Sequence, residues 1–174
     1  MKIGVISDTH LAGAEKSDGW RSLMGKGPNT LGELVHRLEQ IFVDTDMVIH
    51  AGDIITQVVL DELAKFGRVE AVQGNMDRIN LPSLSREKVL ELSGYRIGVI
   101  HGWGAPQGIR QRILERFENI DAVIYGHTHE PFNKTVDDVF FFNPGSPTDN
   151  FFAPYKSVGI IEISGTILGE IIKL

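Results

Sequence analysis

The chain contains the segment Asp121-Ala122-Val123-Ile124-Tyr125-Gly126-His127-Thr128-His129, in which an apolar run typical of a buried strand stops at two histidines. The same arrangement, an apolar run that ends at a side chain able to bind a metal, recurs at four other places. These four endings are Asp8 with His10, Asp53, Asn75, and His101. The carboxyl ends of strands in open α/β sheets converge on the functional crevice, so we expect the five endings to meet in one place.

The first half of the sequence has the pattern of successive βα units. Strands are predicted at 3–7, 47–51 and 68–73, and helices at 31–42 and 57–66. Either Asn29 or Thr30 supplies the cap of the first helix. Such units favour parallel strands joined by right-handed crossovers. The segment Leu11–Pro28 follows His10 directly and is predicted to be a loop at the edge of the site.

Hairpins dominate the second half of the sequence. Strands are predicted at 88–92, 95–100, 122–125, 133–136, 139–142, 157–163 and 166–172, and one helix at 107–117. Parallel units followed by antiparallel hairpins predict an α/β fold with two mixed β-sheets packed as a sandwich and flanking helices. The four layers would follow the order α/β/β/α.

Size and composition favour one globular domain spanning 1–174. The chain has 174 residues, of which 42% are apolar, and no shift in composition or internal repeat divides it. The formal net charge is −6 and basic residues do not form a run, which argues against a stable nucleic-acid complex or a membrane-binding face. We see no signal peptide and no apolar run long enough to span a bilayer, so a cytoplasmic location is the default expectation.

The strand endings supply a ligand set for metal ions. Its seven members are Asp8, His10, Asp53, Asn75, His101, His127 and His129. Cysteine is absent, so any metal must be held by imidazole, carboxylate and amide groups. Seven ligands exceed the four of a typical mononuclear site, which favours two ions separated by about 3.5–4 Å and sharing one bridging carboxylate.

Each of these residues also has an ordinary structural interpretation. An aspartate at a strand end is more often a turn former, and a lone histidine on an apolar strand is more often a packed core residue. The metal hypothesis rests instead on five motifs that occur together, each behind an apolar run. In addition, residues i and i+2 of an extended segment point to the same side, so Asp8 and His10 could bind one ion together. Gly52, Gly74, Gly102 and Gly126 would leave room for the cluster.

The ordered motifs Asp-x-His, Gly-Asp, Gly-Asn, His-Gly and Gly-His-x-His strongly resemble those of the calcineurin-like metallophosphoesterase superfamily. Within it, the chain is similar to the small single-domain bacterial and archaeal phosphodiesterases, over essentially its whole length. The resemblance implies two divalent ions as cofactors, with manganese as the first expectation and nickel, cobalt, iron or zinc as alternatives. The implied ligands are Asp8, His10, Asp53 and His129 for one ion, and Asp53, Asn75, His101 and His127 for the other. Asp53 would be the bridge.

One position departs from the wider superfamily. Many members have Gly-Asn-His, in which the histidine can protonate the leaving oxygen, whereas this chain has Gly74-Asn75-Met76. Met76 cannot transfer a proton. The small phosphodiesterases often lack that histidine too, so the departure fits the subgroup and favours substrates with acidic leaving groups.

The resemblance implies hydrolysis of phosphodiesters by in-line attack of a metal-bridging hydroxide. The expected partner is a small phosphodiester substrate, and a homodimer or larger homo-oligomer is compatible with the family. One alternative is a non-catalytic protein-interaction scaffold, because the superfamily includes a retromer scaffold subunit with this fold. The other is a nuclease, which would need a groove for polyanions.

Several further residues are given supporting roles. His50 is expected to be buried and hydrogen-bonded, and Asp77 could orient Asn75 or a water, or cap a turn. Trp103 could line the cleft or belong to the core or its rim. The segment 143–146, Asn-Pro-Gly-Ser, looks like a family element that supports the wall of the site.

Overall fold

A computed structural model describes residues 1–11, 30–77, 79, 81 and 83–174. Of the predicted loop Leu11–Pro28, only Leu11 is among the described residues, and Asn29 also lies outside them.

Ten strands and three α-helices make up the described fold. The strands are β1 (Lys2–Ile6), β2 (Met47–His50), β3 (Arg68–Ala71), β4 (Glu87–Leu92), β5 (Tyr95–Ile100), β6 (Ala122–Ile124), β7 (Phe132–Val136), β8 (Val139–Asn143), β9 (Ser157–Ile163) and β10 (Ile167–Lys173). The helices are α1 (Leu31–Ile41), α2 (Gln57–Leu63), which continues as a 3₁₀ turn (Ala64–Phe66), and α3 (Ile109–Leu114). No helix in the described part of the chain is long and apolar enough to cross a membrane.

The first sheet contains the βα units and the last hairpin. Its strand order is β10-β9-β1-β2-β3. Strands β1, β2 and β3 pair in parallel, with α1 and α2 in the connections between them. The β9–β10 hairpin adds to β1 in antiparallel fashion.

The second sheet has the order β4-β5-β6-β8-β7. Its centre, β5, β6 and β8, is parallel, and an antiparallel hairpin partner closes each edge. Both sheets are therefore mixed, as the sequence predicts.

Three apolar layers hold the sheets and helices together. The central layer joins inward side chains of both sheets, for example Val5 and Ile49 of the first with Val99 and Ile124 of the second. A second layer packs α1 and α2 on the outer face of the first sheet, and a third packs α3 on the outer face of the second. The predicted sandwich of two mixed sheets with helices outside is confirmed.

Helix boundaries follow local chemistry. Thr30 caps α1 through a capping box, because its hydroxyl accepts from the Glu33 N–H and the Glu33 carboxylate accepts from the Thr30 N–H. The third helix is shorter than predicted and begins only after Gly108, whose φ of 72° is left-handed.

The carboxyl ends of five strands from the two sheets meet at one edge of the sandwich. The amide of Asp8 donates to the carbonyl of Gly52, which links the ends of β1 and β2. The amide of Gly126 donates to the carbonyl of His101, which links β5 and β6. Across the sheets, the His101 ring donates to the carbonyl of Ala51. The expected convergence is confirmed, and it occurs between two sheets.

Candidate metal centre

Two groups of acidic and histidine side chains lie where the strand ends meet. One group is Asp8, His10 and His129, the other is Asp8, Asp53 and His101, and within each the ligand atoms lie within 4.8 Å of one another. The Nε2 atom of His129 is 3.2 Å from Asp8 Oδ1 and 3.3 Å from His10 Nε2. The two groups share the Asp8 carboxylate.

Asp53 lies between the histidines of the two groups. Its Oδ2 atom is 3.6 Å from His10 Nε2 and 3.4 Å from His101 Nε2. Its Oδ1 atom accepts from the Met76 amide at 2.9 Å, which holds Oδ2 toward the histidines. This position is compatible with the predicted bridge, although Asp8 Oδ1 is also 3.9 Å from His10 Nε2 and 3.8 Å from His101 Nε2.

His101 presents a buried nitrogen that needs a partner. Its Nδ1–H donates to the Ala51 carbonyl at 2.8 Å, which leaves Nε2 facing the carboxylates. This Nε2 is buried and has no hydrogen-bond partner among the residues that the structure describes. Burial lowers the pKa of His101, but attraction from Asp8 and Asp53 outweighs it and raises the pKa to about 9. The pocket therefore favours a positive charge at this atom.

His129 is held by a second carboxylate that the sequence did not indicate. Its Nδ1 donates to Asp149 Oδ2 at 2.6 Å, while Nε2 faces Asp8. Burial lowers the pKa of His129, but the Asp8 and Asp149 carboxylates outweigh it and raise the pKa to about 9. Metal-binding histidines usually donate their second ring nitrogen to such a carboxylate or carbonyl, which fixes the tautomer and ring orientation.

Asp149 was missed because it does not follow an apolar run. It lies six positions after Asn143, the last residue of β8. Its carboxylate also accepts from the amides of Phe151, Phe152 and Ala153. A polar turn of this kind has no signal in the sequence that distinguishes it from an ordinary loop.

Five of the seven predicted ligands have left-handed backbone. Their φ angles are 53° at Asp8, 46° at His10, 57° at Asp53, 70° at His127 and 56° at His129. Non-glycine residues rarely adopt this conformation, and it costs about 1–3 kcal/mol per residue where it is strained. The prediction that Asp8 and His10 converge by alternation along an extended segment is wrong, because β1 ends at Ile6 and the turn itself aims both side chains.

Two glycines make room for the carboxylates, as predicted. A Cβ atom on Gly74 would collide with the side chain and amide of Asp53. A Cβ atom on Gly126 would collide with Ser7 Oγ and the Asp8 carboxylate. Neither position can carry a larger residue without displacing a predicted ligand.

Asp77 anchors the turn that carries Asp53. It is fully buried, and its carboxylate accepts from the four amides of Asp53, Ile54, Ile55 and Gly74 at 2.7–2.9 Å. The contacts favour the turn-cap interpretation.

The predicted supporting residues contact the loops of the centre. Asn143 donates to the Gly126 carbonyl and Ser146 donates to the Asp8 carbonyl, which supports the role expected of the segment 143–146. His50 is fully buried and hydrogen-bonds with Thr9 and the Gly52 amide, as expected. Burial lowers the pKa of His50 to about 4.

Two predicted ligands stand apart from these groups. The His127 amide donates to the Asp8 carboxylate, but the His127 Nε2 donates to the Gly104 carbonyl at 2.9 Å. Its ring centroid is 5.3 Å from that of His101. Asn75 is exposed and lines the same cavity as His101. Both therefore lie near His101, and their assignment to the second ion stays a prediction.

The donor set fits divalent metal ions. Buried carboxylates face imidazole nitrogens, and His101 Nε2 has no hydrogen-bond partner in the described ranges. The raised pKa values of His101 and His129 indicate that this space favours positive charge. Because ligating histidines must lose their protons, a divalent ion would replace protons on His101 and His129. Imidazole and carboxylate ligands suit several first-row transition metals.

Comparisons with known proteins identify the family of the chain. A family model described as the calcineurin-like phosphoesterase superfamily domain matches residues 1–166. The chain is 36% identical to a protein named "Probable metallophosphoesterase" from Methanothermobacter thermautotrophicus, over 99% of this chain and 92% of that protein. It is 27% identical to a phosphodiesterase from Methanocaldococcus jannaschii, over 99% of both chains.

A solved structure extends the similarity at the level of the fold. A single mutant of Vps29 from Entamoeba histolytica matches with a TM-score of 0.68 at 24% identity, covering 100% of this chain and 99% of that one. The family model and the archaeal relatives, which agree with the motifs at the strand ends, identify the family. The chain belongs to the calcineurin-like phosphoesterase superfamily.

Proposed function

We propose that the protein is a phosphodiesterase with two divalent metal ions that acts on small phosphodiesters. The observation that carries the proposal is the pair of ligand groups joined through Asp8, with Asp53 between their histidines. One ion would be held by Asp8, His10, Asp53 and His129, and the other by Asp53, Asn75, His101 and His127. Manganese is the first choice, and nickel, cobalt, iron and zinc remain alternatives.

The residues of the chain position this chemistry. Bound divalent ions activate water and offset the charge that gathers on the phosphate during in-line attack. Asp8 and Asp53 supply the negative charge that retains the ions. Hydrogen bonds from His101 to Ala51 and from His129 to Asp149 fix the direction in which each ring presents Nε2.

The leaving group receives no proton from the side chain next to Asn75. Met76 is 54% exposed and has no transferable proton, and its amide is bound to Asp53. Proton donation to a leaving oxygen contributes typically 10²–10⁴-fold to a rate, so poor leaving groups should react slowly. Diesters with acidic leaving groups are therefore the preferred substrates of the proposed enzyme.

Removal of metal tests the proposal directly. We expect the purified protein to release 4-nitrophenol from bis(4-nitrophenyl) phosphate, to lose this activity after chelation, and to regain it when Mn²⁺ is returned. Metal content measured by mass spectrometry should approach two ions per chain. A protein that stays metal-free and inactive with manganese, nickel, cobalt, iron or zinc in excess would instead favour the scaffold alternative.

Replacing Asp149 by asparagine should weaken metal binding about 10–100-fold, the usual effect of losing a carboxylate that orients a ligating histidine. The amide retains an oxygen for the turn but binds His129 less strongly than the carboxylate does. Metal affinity is measured by competition with a chelating dye. The matched control is Asp138→Asn, on an exposed turn between β7 and β8. Equal affinities in the two variants would show that Asp149 does not support the centre.

Replacing Met76 by histidine should raise turnover of 4-nitrophenyl phosphate relative to the diester, because the new imidazole can donate a proton beside Asn75. The ratio of kcat/KM values for the two substrates is the measurement. Met76→Gln has similar size without a titratable proton and serves as control. If Met76→His leaves this ratio unchanged, the side chain at position 76 does not explain the preference for diesters.

A further inference from the structure

A cavity of about 660 Å³ opens beside the group of Asp53 and His101. The residues that line it include Asn75, Arg86, Glu87, His101, Trp103 and Arg116. Its volume lies within the roughly 300–1,000 Å³ of small-molecule sites. A substrate group attached to a phosphate at the centre can therefore enter it.

The lining contains two arginines and one glutamate, although the chain as a whole has a net charge of −6. Arg116 is paired with Glu87 through two contacts, at 2.7 and 3.0 Å, so these two charges largely offset each other. Arg86 is exposed and forms no ion pair with any residue in the described ranges. Within the part of the chain that the structure describes, Arg86 thus offers the cavity a guanidinium with no opposing carboxylate, a group that binds carboxylates and phosphates in planar, bidentate geometry.

Trp103 gives the same cavity an aromatic wall. Its side chain is 44% exposed, while the Trp103 carbonyl accepts from Arg112 and ties the backbone to α3. A large exposed indole lining a cavity offers a face for an aromatic ring to stack on. The cavity therefore offers an indole face on which a ring can stack and a guanidinium that can bind an anion.

We propose that this cavity selects phosphodiesters in which one substituent is an aromatic ring that carries an additional anionic group. Arg86 contacts the anion, Trp103 contacts the ring, and the diester phosphate lies at the metal centre. The proposal rests on the proposed phosphodiesterase function and adds a substrate class to it. Arg86 and Trp103 would be specificity residues.

Two diesters that differ only in the anion test the proposal. Both release 4-nitrophenol, and the second substituent is either phenyl or 4-carboxyphenyl. We expect kcat/KM to be about fivefold higher for the carboxyphenyl ester, because its KM is lower. A fivefold difference corresponds to roughly 1 kcal/mol, the size expected of a partly exposed ion pair. The preference should shrink with added salt, because exposed charges are screened. In a third diester a phosphonate replaces the carboxylate. Its kcat/KM shows whether the site prefers a carboxylate or a phosphate-like anion.

Three variants assign the preference to residues. Arg86→Gln should remove the preference for the anionic ester, so that kcat/KM becomes equal for the two esters. Trp103→Ala should raise KM for both esters and leave their ratio unchanged. Arg37→Gln, an exposed arginine on α1 outside the cavity, is the matched control and should behave as the unmodified protein.

The outcomes separate the two proposals. Metal-dependent cleavage with no preference for the anionic ester, or a preference that survives Arg86→Gln, would overturn the subsite and leave the phosphodiesterase function intact. If neither ester is cleaved with any metal, the function fails, and calorimetry with 4-carboxyphenyl phosphate and phenyl phosphate decides the subsite. Equal affinities for these two ligands would overturn it, whereas tighter binding of the carboxylated ligand that depends on Arg86 would support it.

Discussion

Replacing Asp53 by asparagine is expected to lower diesterase activity by at least about 100-fold. Losing a group that only orients a metal ligand already costs 10–100-fold, and Asp53 is proposed as a direct ligand of both ions. Its Oδ2 atom faces His10 and His101, and the substitution removes its negative charge. Steady-state kinetics on bis(4-nitrophenyl) phosphate and metal content per chain are the two measurements.

The comparison with Asp8→Asn identifies the bridge. If Asp53 contacts both ions and Asp8 only one, Asp53→Asn should retain less metal than Asp8→Asn, which should keep about one ion per chain. The structure makes this comparison necessary, because the Asp8 carboxylate belongs to both ligand groups. Asp61→Asn, exposed on α2, is the control for loss of a surface charge. Full metal content and full rate in Asp53→Asn would contradict the bridging assignment.

Replacing Asp77 by asparagine is expected to lower the free energy of unfolding by about 2–6 kcal/mol. The new amide nitrogen cannot accept a hydrogen bond, so it would face two of the four amides that Asp77 now satisfies. Each buried donor left without an acceptor costs roughly 1–3 kcal/mol. Urea denaturation of the chelator-treated protein measures this effect without a contribution from metal binding.

The same Asp61→Asn variant is the control for Asp77→Asn, since it makes the same chemical change at an exposed position. We expect the control to shift stability by no more than about 0.5 kcal/mol. If the two variants unfold at the same urea concentration, the Asp77 hydrogen bonds do not stabilise the turn that carries Asp53.

The fold was largely predictable because its strands and helices have clear periodicity and clear stops. The hairpin predicted from strands 88–92 and 95–100 and the βα units of the first half occur as expected. Element lengths were less predictable. Strand β3 ends at Ala71, before the predicted Gln73, and α3 is shorter than the predicted 107–117. Apolar side chains continue beyond these elements, so the pattern alone does not mark where regular hydrogen bonding stops.

The site was predictable where a ligand follows an apolar strand. It was less predictable where a turn determines the direction in which the ligand side chain points. Asp8, His10, Asp53, His101 and His129 lie together as expected. The left-handed turns that aim four of them, Asp8, His10, Asp53 and His129, have no signature in an aspartate or histidine motif. Asp149 belongs to a loop far from His129 in sequence, and only the folded chain brings the two side chains within 2.6 Å.

The position of the centre between two sheets gives a bound cation a mechanical consequence. Asp8 and Asp53 follow strands of the first sheet, whereas His101 and His129 follow strands of the second. An ion bound by both pairs would act as a cross-link between the halves of the sandwich. Because the unfolded chain has no such preformed site, an ion at 100 times its dissociation constant would add about 2.7 kcal/mol to stability. Core substitutions that slide one sheet over the other should therefore weaken cation affinity without touching a ligand.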